Sequence, residues 1–341
     1  MYRKLVATNL STKFREVVKI QSLPIPVPGQ GQLLVRNRFL GINASDINFT
    51  AGRYDRRHKP PLDLGFESVG EVAAVGTDCS RGYKLGDAVG VFENGAFSEY
   101  MIIREDRAIP LPQCAPSYLP LLLSGLTASV ALQCAGEIKE GDKVLVTAAA
   151  GGTGQLAVQL AKAAGCHVIG TCSSEEKMAL LRQLGCDRPI NYKQESLKEV
   201  LHNEYPRGVD VVYESVGGEM FTICVNSLAV KGRLIIIGSV STYKGTSDTL
   251  APPVPVSVTR LLAKSASIRG FFLPHYARQY PSHLAKMVAM VNDGKLKCVV
   301  DNGNTGGPFV GLESVSDAVD YLYSGKNCGK VFVQLNQTSK L

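Results

Sequence analysis

The sequence lacks several features that would point to common kinds of functional site. It has no tryptophan, so any aromatic surface that stacks on a ligand must use tyrosine or phenylalanine. Its five histidines form no spaced cluster, and its nine cysteines include no Cys-x-x-Cys pair. An odd number of cysteines, in a chain too long to need disulfides for stability, predicts reduced thiols in a reducing compartment.

Extreme charge is also absent. The 37 basic and 30 acidic residues give a net charge of +7, and they are scattered except for one basic cluster at residues 56–59. A nucleic-acid-binding surface would need a denser array of positive charge. The cluster is typical of a solvated loop, with an anion site as the alternative. Because 45% of the residues are hydrophobic, the chain has enough apolar material to fold around a core.

No apolar run is predicted to cross a membrane. Residues 108–136 and 144–161 carry no charge, but prolines interrupt the first stretch and glycines interrupt the second. The N-terminal residues show no signal-peptide pattern. The final residues Ser339, Lys340 and Leu341 match the address that a peroxisomal import receptor reads. We therefore expect a peroxisomal protein without a membrane span.

The pattern of strand-prone and helix-prone runs changes twice along the chain, which predicts three segments. Residues 1–125 contain short β-prone runs separated by proline and glycine clusters. Residues 126–265 alternate apolar strands with helices, a pattern typical of right-handed βαβ units and a parallel sheet. Residues 266–341 add helices and a last strand, and we expect them to return to the first domain. The prediction is an α/β protein in which a doubly wound domain is inserted into a β-rich domain.

A glycine-rich loop is the strongest local motif. Residues 144–155 place Ala149, Gly151 and Gly154 between a predicted strand and a predicted helix. Gly151 would let the backbone approach a pyrophosphate, and Gly154 would let the helix pack closely on the strand. The helix N-terminus would then hold the phosphates. The motif predicts a dinucleotide site of the Rossmann type, formed by residues Gly151, Gly152, Thr153 and Gly154.

The residues after the second strand of this domain indicate which nicotinamide cofactor binds. An NAD site would place an acid at the strand end to bind the ribose 2′-hydroxyl. Here Ser173 follows the strand, and its spacing from Glu176 predicts a capping box that turns this acid toward its own helix. Lys177 and Tyr192 could contact a 2′-phosphate, although Lys177 could equally be a solvated helix residue. This combination favours NADPH.

Two further motifs carry a family resemblance. Residues 41–54, which read Gly-Ile-Asn-Ala-Ser-Asp at their start, and residues 65–76, which begin Gly-Phe-Glu-Ser, resemble the medium-chain dehydrogenase/reductase superfamily. Within it they are most similar to the zinc-free branch that includes quinone oxidoreductases. The resemblance covers nearly the whole chain. It implies a GroES-like catalytic domain over 1–125, an NADP-binding Rossmann domain over 126–265 and a return to the catalytic domain over 266–341.

The resemblance also bears on metal binding. Zinc-dependent members carry cysteine where this chain has Asn43 and histidine where it has Phe66. Phenylalanine cannot ligate a metal, and asparagine is a poor zinc ligand. The four-cysteine structural lobe of those members has no counterpart in residues 86–105. We therefore predict that the protein binds no zinc.

Chemistry without a metal must rely on hydride transfer and hydrogen bonds. Reduction of a carbon–carbon double bond conjugated to a carbonyl meets this condition, because the enolate that forms needs only a donor at its oxygen. By resemblance to related reductases, Tyr54 is the candidate proton donor, and a phenol with a pKa near 10 is protonated at physiological pH. The alternative is a tyrosine that only packs the loop. Asn43 is implied to orient the nicotinamide ribose or the substrate, or else to stabilise a turn.

Residues 148–155, 213–218, 270–273, 325–330 and 339–341 carry a closer resemblance, to prostaglandin reductases, which implies substrates and further contacts. It predicts reduction of 15-oxo-prostaglandins at the 13,14 double bond, consistent with a role in lipid or fatty acid metabolism, and a homodimer. Quinone reduction, enoyl-thioester reduction and non-catalytic NADPH binding stay open as alternatives. A thioester reductase would need an anion-binding entrance, which Arg53, Arg56, Arg57 and Lys59 could supply. The additional cofactor contacts implied by family position are Ser215, Ile237, Tyr243, Phe271, Phe272, Leu273 and Asn327.

Overall fold

The structure is a computed structural model that describes residues 1–54, 57, 59–245, 256–303 and 306–336. It divides into two compact units. The first unit joins residues 1–123 to residues 300–341, and the second comprises residues 124–299. The predicted peroxisomal signal at 339–341 lies outside the described residues, as do Arg56 and His58 of the basic cluster.

The N-terminal part of the first unit consists mainly of strands. The two long strands β3 (Gln32–Gly41) and β5 (Glu67–Val75) have runs of three or four consecutive buried side chains and almost no exposed ones, so they lie in the interior of the unit. A 3-10 segment at Pro116–Leu121 ends this part. The elements are β1 (Tyr2–Ala7), α1 (Phe14–Val17), β2 (Val18–Leu23), β3 (Gln32–Gly41), α2 (Ser45–Thr50), β4 (Leu62–Asp63), β5 (Glu67–Val75), β6 (Ala88–Phe92), β7 (Tyr100–Arg104) and β8 (Ile109–Pro110).

The second unit alternates strands with helices. Its strands are short apolar runs buried on both faces, as expected when helices cover both sides of a parallel sheet. The elements are α3 (Leu123–Val130), β9 (Lys143–Val146), α4 (Gly154–Ala163), β10 (His167–Cys172), α5 (Glu175–Gln183), β11 (Arg188–Asn191), α6 (Leu197–Glu204), β12 (Val209–Glu214), α7 (Gly218–Asn226), β13 (Leu228–Ile236), α8 (Val258–Lys264), β14 (Ser267–Gly270) and α9 (Tyr280–Asn292).

The C-terminal part returns to the first unit with β15 (Val300–Asp301), α10 (Val315–Tyr323) and β16 (Lys330–Gln334). Strand β16 pairs antiparallel with β3 and parallel with β15. The resulting seven-stranded sheet has the order β15-β16-β3-β5-β6-β8, with β7 also paired to β3. A smaller sheet has the order β2-β1-β4.

The sheet of the second unit is parallel throughout, with the order β11-β10-β9-β12-β13-β14. Strands β9 and β12 lie at its centre, where the chain order reverses. In such sheets, ligands bind beyond the carboxyl ends of the strands at this reversal. The predicted α/β class, with a parallel-sheet domain inserted into a β-rich domain, is confirmed.

The domain boundaries differ from those predicted. The return to the first unit begins at residue 300, whereas the sequence predicted residue 266. The reason is strand β14, which hydrogen-bonds in parallel to β13 and so extends the sheet of the second unit. Helix α9 follows within the same unit. Strand β14 is short, and its sequence gives no sign of which sheet it joins.

One segment has the length and composition of a membrane span. Pro116–Ala135 passes this test, but 78% of its apolar window is buried inside the structure, as in the core of a soluble domain.

Candidate active site

The glycine-rich loop of the second unit connects β9 to α4 with little room for side chains. A Cβ on Gly154 would meet the Cα of Ala149 at 2.7 Å and the carbonyl oxygen of the same residue at 2.8 Å. A Cβ on Gly151 would meet only the Ala148 carbonyl, at 3.2 Å. Gly154 therefore permits close helix packing, while Gly151 keeps one side of the loop open. In the first turn of α4, the N–H groups of Gln155 and Leu156 already donate to the Gly151 and Thr153 carbonyls, so an anion would be held by the loop N–H groups before them and by the helix dipole.

A buried pair of hydroxyls fixes the centre of this loop. The Thr153 hydroxyl donates to the Ser124 carbonyl at 3.0 Å and lies 2.7 Å from the Tyr213 hydroxyl. Because a hydroxyl has a single proton, Thr153 must accept the hydrogen bond from Tyr213. Tyr213 is fully buried, and burial raises the pKa of its phenol. Thr153 can therefore donate its backbone N–H to a phosphate, whereas its hydroxyl proton is already donated to the Ser124 carbonyl.

The end of β12 carries a second buried polar group. Glu214 is fully buried and accepts hydrogen bonds from the N–H groups of Val216 and Gly217, at 2.9 and 3.1 Å. Burial raises the pKa of this carboxyl above its ordinary value. The Ser215 N–H donates to Thr147 Oγ1 at 2.8 Å, but the Ser215 Oγ is buried with no hydrogen-bond partner among the residues that the structure describes. A buried hydroxyl without a partner, at the carboxyl edge of a parallel sheet, fits a site that a polar ligand completes.

The predicted 2′-phosphate region requires one correction. Ser174, not Ser173, caps α5, because its side chain accepts from the Lys177 N–H at 3.3 Å and its backbone is extended. The predicted Ser173–Glu176 capping box is therefore wrong by one residue. Lys177 is buried in the first turn of α5, and Tyr192 follows β11 with 46% of its side chain exposed.

The remaining predicted contacts of the second unit surround the ends of β13 and β14. Ile237 donates its N–H to the main-chain carbonyl of Glu214, and the Tyr243 hydroxyl accepts from the Ser239 N–H at 3.0 Å. Phe271 donates its N–H to the Ile236 carbonyl, so this group is not available to a nicotinamide amide. Phe272 is 42% exposed, whereas Leu273 is buried.

In the first unit, Asn43 belongs to a buried charged cluster. Its Nδ2 donates to Glu67 Oε1 at 2.9 Å and to the Gly41 carbonyl at 3.3 Å, and its Oδ1 accepts from the Lys330 ammonium at 2.5 Å. Lys330 also forms an ion pair with Glu67, and both side chains are at most 1% exposed. The second Glu67 oxygen accepts from the Leu123 N–H at 2.8 Å. The side-chain hydrogen bonds of Asn43 therefore hold the cluster together, and its role in orienting a ribose or substrate stays a prediction.

Asp46 connects this cluster to α2. Its Oδ2 accepts from the Asn43 N–H at 2.8 Å, while its Oδ1 is buried and has no hydrogen-bond partner in the described part of the chain. Burial raises the pKa of Asp46 to about 7, opposed by the hydrogen bond from Asn43 and by the charge of Lys330. The sequence analysis did not select Asp46, Glu67 or Lys330. A charged residue within an apolar strand, as at Lys330 in β16, was the available signal.

The predicted proton donor lies just beyond α2. Tyr54 is 40% exposed, and its hydroxyl is 3.3 Å from the Nδ2 of Asn48, which is buried in α2. Arg53 donates to the Oδ1 of Asn48 at 3.0 Å. Asn327, also in the first unit, donates its side-chain amide to the Gly329 carbonyl at 2.9 Å. Tyr54 thus combines exposure to solvent with a buried hydrogen-bond donor at its oxygen.

Two family models match the chain. One, described as an alcohol dehydrogenase GroES-like domain, matches residues 29–113, and the other, described as a zinc-binding dehydrogenase, matches residues 152–292. Among curated proteins, the chain is 55% identical to prostaglandin reductase-3 of Mus musculus over 98% of its own length and 89% of that protein. It is 47% identical to a probable quinone oxidoreductase of Leishmania amazonensis, with 98% of each chain covered.

The solved structures that the chain resembles include oxidoreductases as well. Escherichia coli quinone oxidoreductase, crystallised with NADPH, matches with a TM-score of 0.82 and 26% identity, covering 98% of this chain and 100% of that one. The chain therefore belongs to the medium-chain dehydrogenase/reductase superfamily and is an oxidoreductase. The resemblance inferred from the sequence motifs is confirmed.

The zinc in the name of one family model does not fit the residues found here. Phe66 offers no ligand atom and packs edge-on against Phe49, with ring centroids 5.3 Å apart. Asn43 is engaged by Glu67 and by the ammonium of Lys330, whose positive charge would repel a metal ion. Over the described part of the chain, no group of three or more His, Cys, Asp or Glu side chains is arranged to hold a metal ion. The absence of zinc stays a prediction.

Proposed function

We propose that the protein reduces carbon–carbon double bonds conjugated to a carbonyl, with NADPH as the hydride donor and 15-oxo-prostaglandins as the substrate class. Two curated relatives, 55% and 54% identical, are named prostaglandin reductase-3. The observation that carries the proposal is the phenol of Tyr54, exposed to solvent and hydrogen-bonded by a buried amide. It lies in a unit whose positions for zinc ligands hold asparagine and phenylalanine.

The second unit has the features that NADPH requires. When bound, NADPH supplies a hydride. The open side of the loop at Gly151, together with the N-terminus of α4, would hold the pyrophosphate, and the Ser215 hydroxyl would gain a partner. The ammonium group of Lys177 would attract the 2′-phosphate, which NADPH carries and NADH lacks. Support for NADPH over NADH also comes from the related quinone oxidoreductase solved with NADPH. The direct test is calorimetry, in which tighter binding of NADH than of NADPH would contradict the proposal.

Residues of the first unit would stabilise the charge on the substrate and supply the proton that completes the reduction. As hydride adds to the β-carbon, negative charge develops on the carbonyl oxygen, and a donor at this oxygen lowers the barrier. Tyr54 would donate its hydrogen bond there, and a proton from Tyr54 or solvent would then complete the α-carbon. The products are the saturated ketone and the oxidised cofactor. Asn43 is not assigned a contact with the reacting atoms, because its amide is bound within the charged cluster.

The test of this function is a product analysis. Purified protein is incubated with 15-oxo-prostaglandin E2 and NADPH that carries deuterium at the transferred position. We expect a 13,14-dihydro product with deuterium at C13 and loss of NADPH in equal amount. A Tyr54→Phe variant should lose most of this activity while binding NADPH as tightly as the wild type. Absence of any dihydro product from the wild-type protein would reject the substrate class.

Quinone reduction is the second candidate, favoured by the 47% identity to a probable quinone oxidoreductase. Quinones accept electrons without a proton donor from the protein, so their reduction should survive Tyr54→Phe. Enoyl-thioester reduction has less support, because Arg53, one of the four cations proposed for an anion-binding entrance, is bound to Asn48. Parallel assays with a quinone and an enoyl thioester rank the three substrate classes.

Localisation and assembly are further parts of the proposal. We propose import into peroxisomes through Ser339, Lys340 and Leu341, consistent with lipid chemistry, and removal of these residues should leave a fluorescent fusion in the cytosol. We also propose a homodimer. Light scattering of the purified protein at assay concentration measures this directly, and a monomeric mass would reject it.

A further inference from the structure

Helix α2 presents a buried asparagine to the hydroxyl of Tyr54. Asn48 is 1% exposed, and its side chain lies between two neighbours that follow it in the chain. Arg53 is 3.0 Å from its Oδ1, and the Tyr54 hydroxyl is 3.3 Å from its Nδ2. Asparagine is a weak helix former, yet here it is buried in α2 with its side-chain amide hydrogen-bonded on both sides. Its side chain therefore suggests a role beyond the fold of the helix.

The orientation of the Asn48 amide follows from chemistry. A guanidinium can only donate hydrogen bonds, so the atom of Asn48 that faces Arg53 must be the carbonyl oxygen. The amide nitrogen then faces Tyr54 and must donate to the phenol oxygen. A flipped amide would place N–H against N–H at Arg53, which excludes the reverse assignment. The phenol oxygen is therefore the acceptor in this pair, and the phenol proton points away from Asn48.

From this arrangement we infer that Asn48 is a positioning residue that holds Tyr54 as a hydrogen-bond donor and stabilises its oxygen as the proton leaves. The amide N–H strengthens its bond to the phenol oxygen as negative charge develops there. The guanidinium of Arg53 polarises the same amide from its other side, because hydrogen bonds in a chain reinforce one another. Arg53 thus acts on Tyr54 through Asn48.

The inference rests on the proposed function only for its effect on turnover. The hydrogen bond itself makes a claim about the acidity of Tyr54, which can be measured without any substrate. We therefore use two sets of measurements on the full chain, one kinetic and one spectroscopic. If the protein does not reduce enones, the kinetic measurements cannot be made, but the spectroscopic measurements still test the inference.

The kinetic set uses two variants that differ in chemistry. Asn48→Asp keeps the size of the side chain and its bond to Arg53, but it can only accept from Tyr54 and so draws the phenol proton inward. Asn48→Leu removes both hydrogen bonds at similar volume. We expect kcat for the enone to fall about 10- to 100-fold in both, the range for one hydrogen bond to a group that becomes charged. KM and the Kd for NADPH should remain at wild-type values.

Internal controls separate positioning from loss of structure. In a Tyr54→Phe background, Asn48→Asp should cause no further fall in kcat, since its effect passes through the phenol oxygen. Turnover of any quinone that the wild type reduces should be unchanged in both Asn48 variants. An equal fall in the Tyr54→Phe background, or a rise in KM with unchanged kcat, would overturn the inference.

The spectroscopic set measures the phenol directly. The protein is labelled with 13C at tyrosine Cζ, and Tyr54→Phe identifies the Tyr54 signal among the 13 tyrosines. We expect the Tyr54 signal to titrate at higher pH in Asn48→Leu and Asn48→Asp than in the wild type, because the phenolate loses its donor. Unchanged titration in folded variants, with melting temperature as the check on folding, would overturn the inference even if the wild type reduces enones.

Discussion

Replacing Lys330 by methionine should destabilise the first unit strongly. The Lys330 side chain is 1% exposed and the Glu67 side chain is fully buried, so solvent does not screen their attraction. Methionine keeps most of the volume but leaves the Glu67 carboxylate and the Asn43 carbonyl oxygen without their cation. Breaking a buried ion pair by removing one partner costs about 3–5 kcal/mol. This is a large fraction of the roughly 5–15 kcal/mol that keeps a protein folded.

Calorimetry of the full chain measures this effect. For a unit of this size, each kcal/mol lowers the melting temperature by roughly 2–4 °C, so the transition should fall by about 6–20 °C. The matched control is Lys295→Met, which removes the same charge from an ion pair with Asp293 whose side chains are 69% and 57% exposed. Exposed pairs contribute about 0–1 kcal/mol, so this variant should melt close to the wild type.

A second variant distinguishes the loss of charge pairing from the loss of packing. In Lys330→Met combined with Glu67→Gln, no unpaired charge remains, and the double variant should melt at a higher temperature than Lys330→Met alone. If Lys330→Met melts within a degree or two of the wild type, or if the double variant is the less stable of the two, the argument from buried charge is wrong.

Four further variants test other parts of the site. Burial raises the pKa of Asp46 to about 7, so the folded state binds more protons than the unfolded state between about pH 4 and pH 7, and stability falls as the pH rises through this window. Asp46→Asn should flatten that fall, which melting curves from pH 4 to pH 8 would show. Tyr213→Phe leaves Thr153 without its hydrogen-bond donor and should raise the Kd for NADPH about 2- to 10-fold, by calorimetry. Gly154→Ala puts a Cβ 2.7 Å from backbone in the preceding loop and should lower both melting temperature and NADPH affinity; a variant that keeps both would contradict the close packing. Ser215→Ala removes a buried hydroxyl that no other described residue partners, so the free protein should be as stable as the wild type or more so, while NADPH binds less tightly.

Local patterns in the sequence were sufficient to predict much of the second unit. Its apolar strands are short and separated by helices, and right-handed crossovers then leave few arrangements of a parallel sheet. The glycine spacing marked the loop because close packing leaves no room for a Cβ at Gly154, while Gly151 keeps one side of the loop open. The error at the α5 cap has a local cause as well. Two adjacent serines offer the same chemistry, and only the backbone shows that Ser174 reaches the N–H group.

The charged cluster of the first unit could not be predicted in this way. Lys330 and Asn43 are separated by 287 positions in the chain, and no local pattern reports a contact over that distance. Sequence similarity did select Asn43, but through its position in a motif, and it implied a contact with cofactor or substrate. The structure instead places this side chain in hydrogen bonds to Glu67 and Lys330. The role toward cofactor or substrate that the motif implies for Asn43 stays a prediction, while its contacts within the cluster are visible only in the structure.

Two buried oxygen atoms, one in each unit, have no hydrogen-bond partner within the described ranges, and they lead to different conclusions. Asp46 Oδ1 belongs to a carboxyl group that can bind a proton. Because burial raises the pKa of Asp46 to about 7, protonation can remove the buried charge without any ligand. Ser215 Oγ has no such route, because a hydroxyl does not titrate in the physiological range. Leaving it buried and unpaired costs about 1–3 kcal/mol. A partner from outside the protein would recover that energy on binding, which makes Ser215 the stronger indication of a ligand site and Asp46 the stronger source of pH-dependent stability.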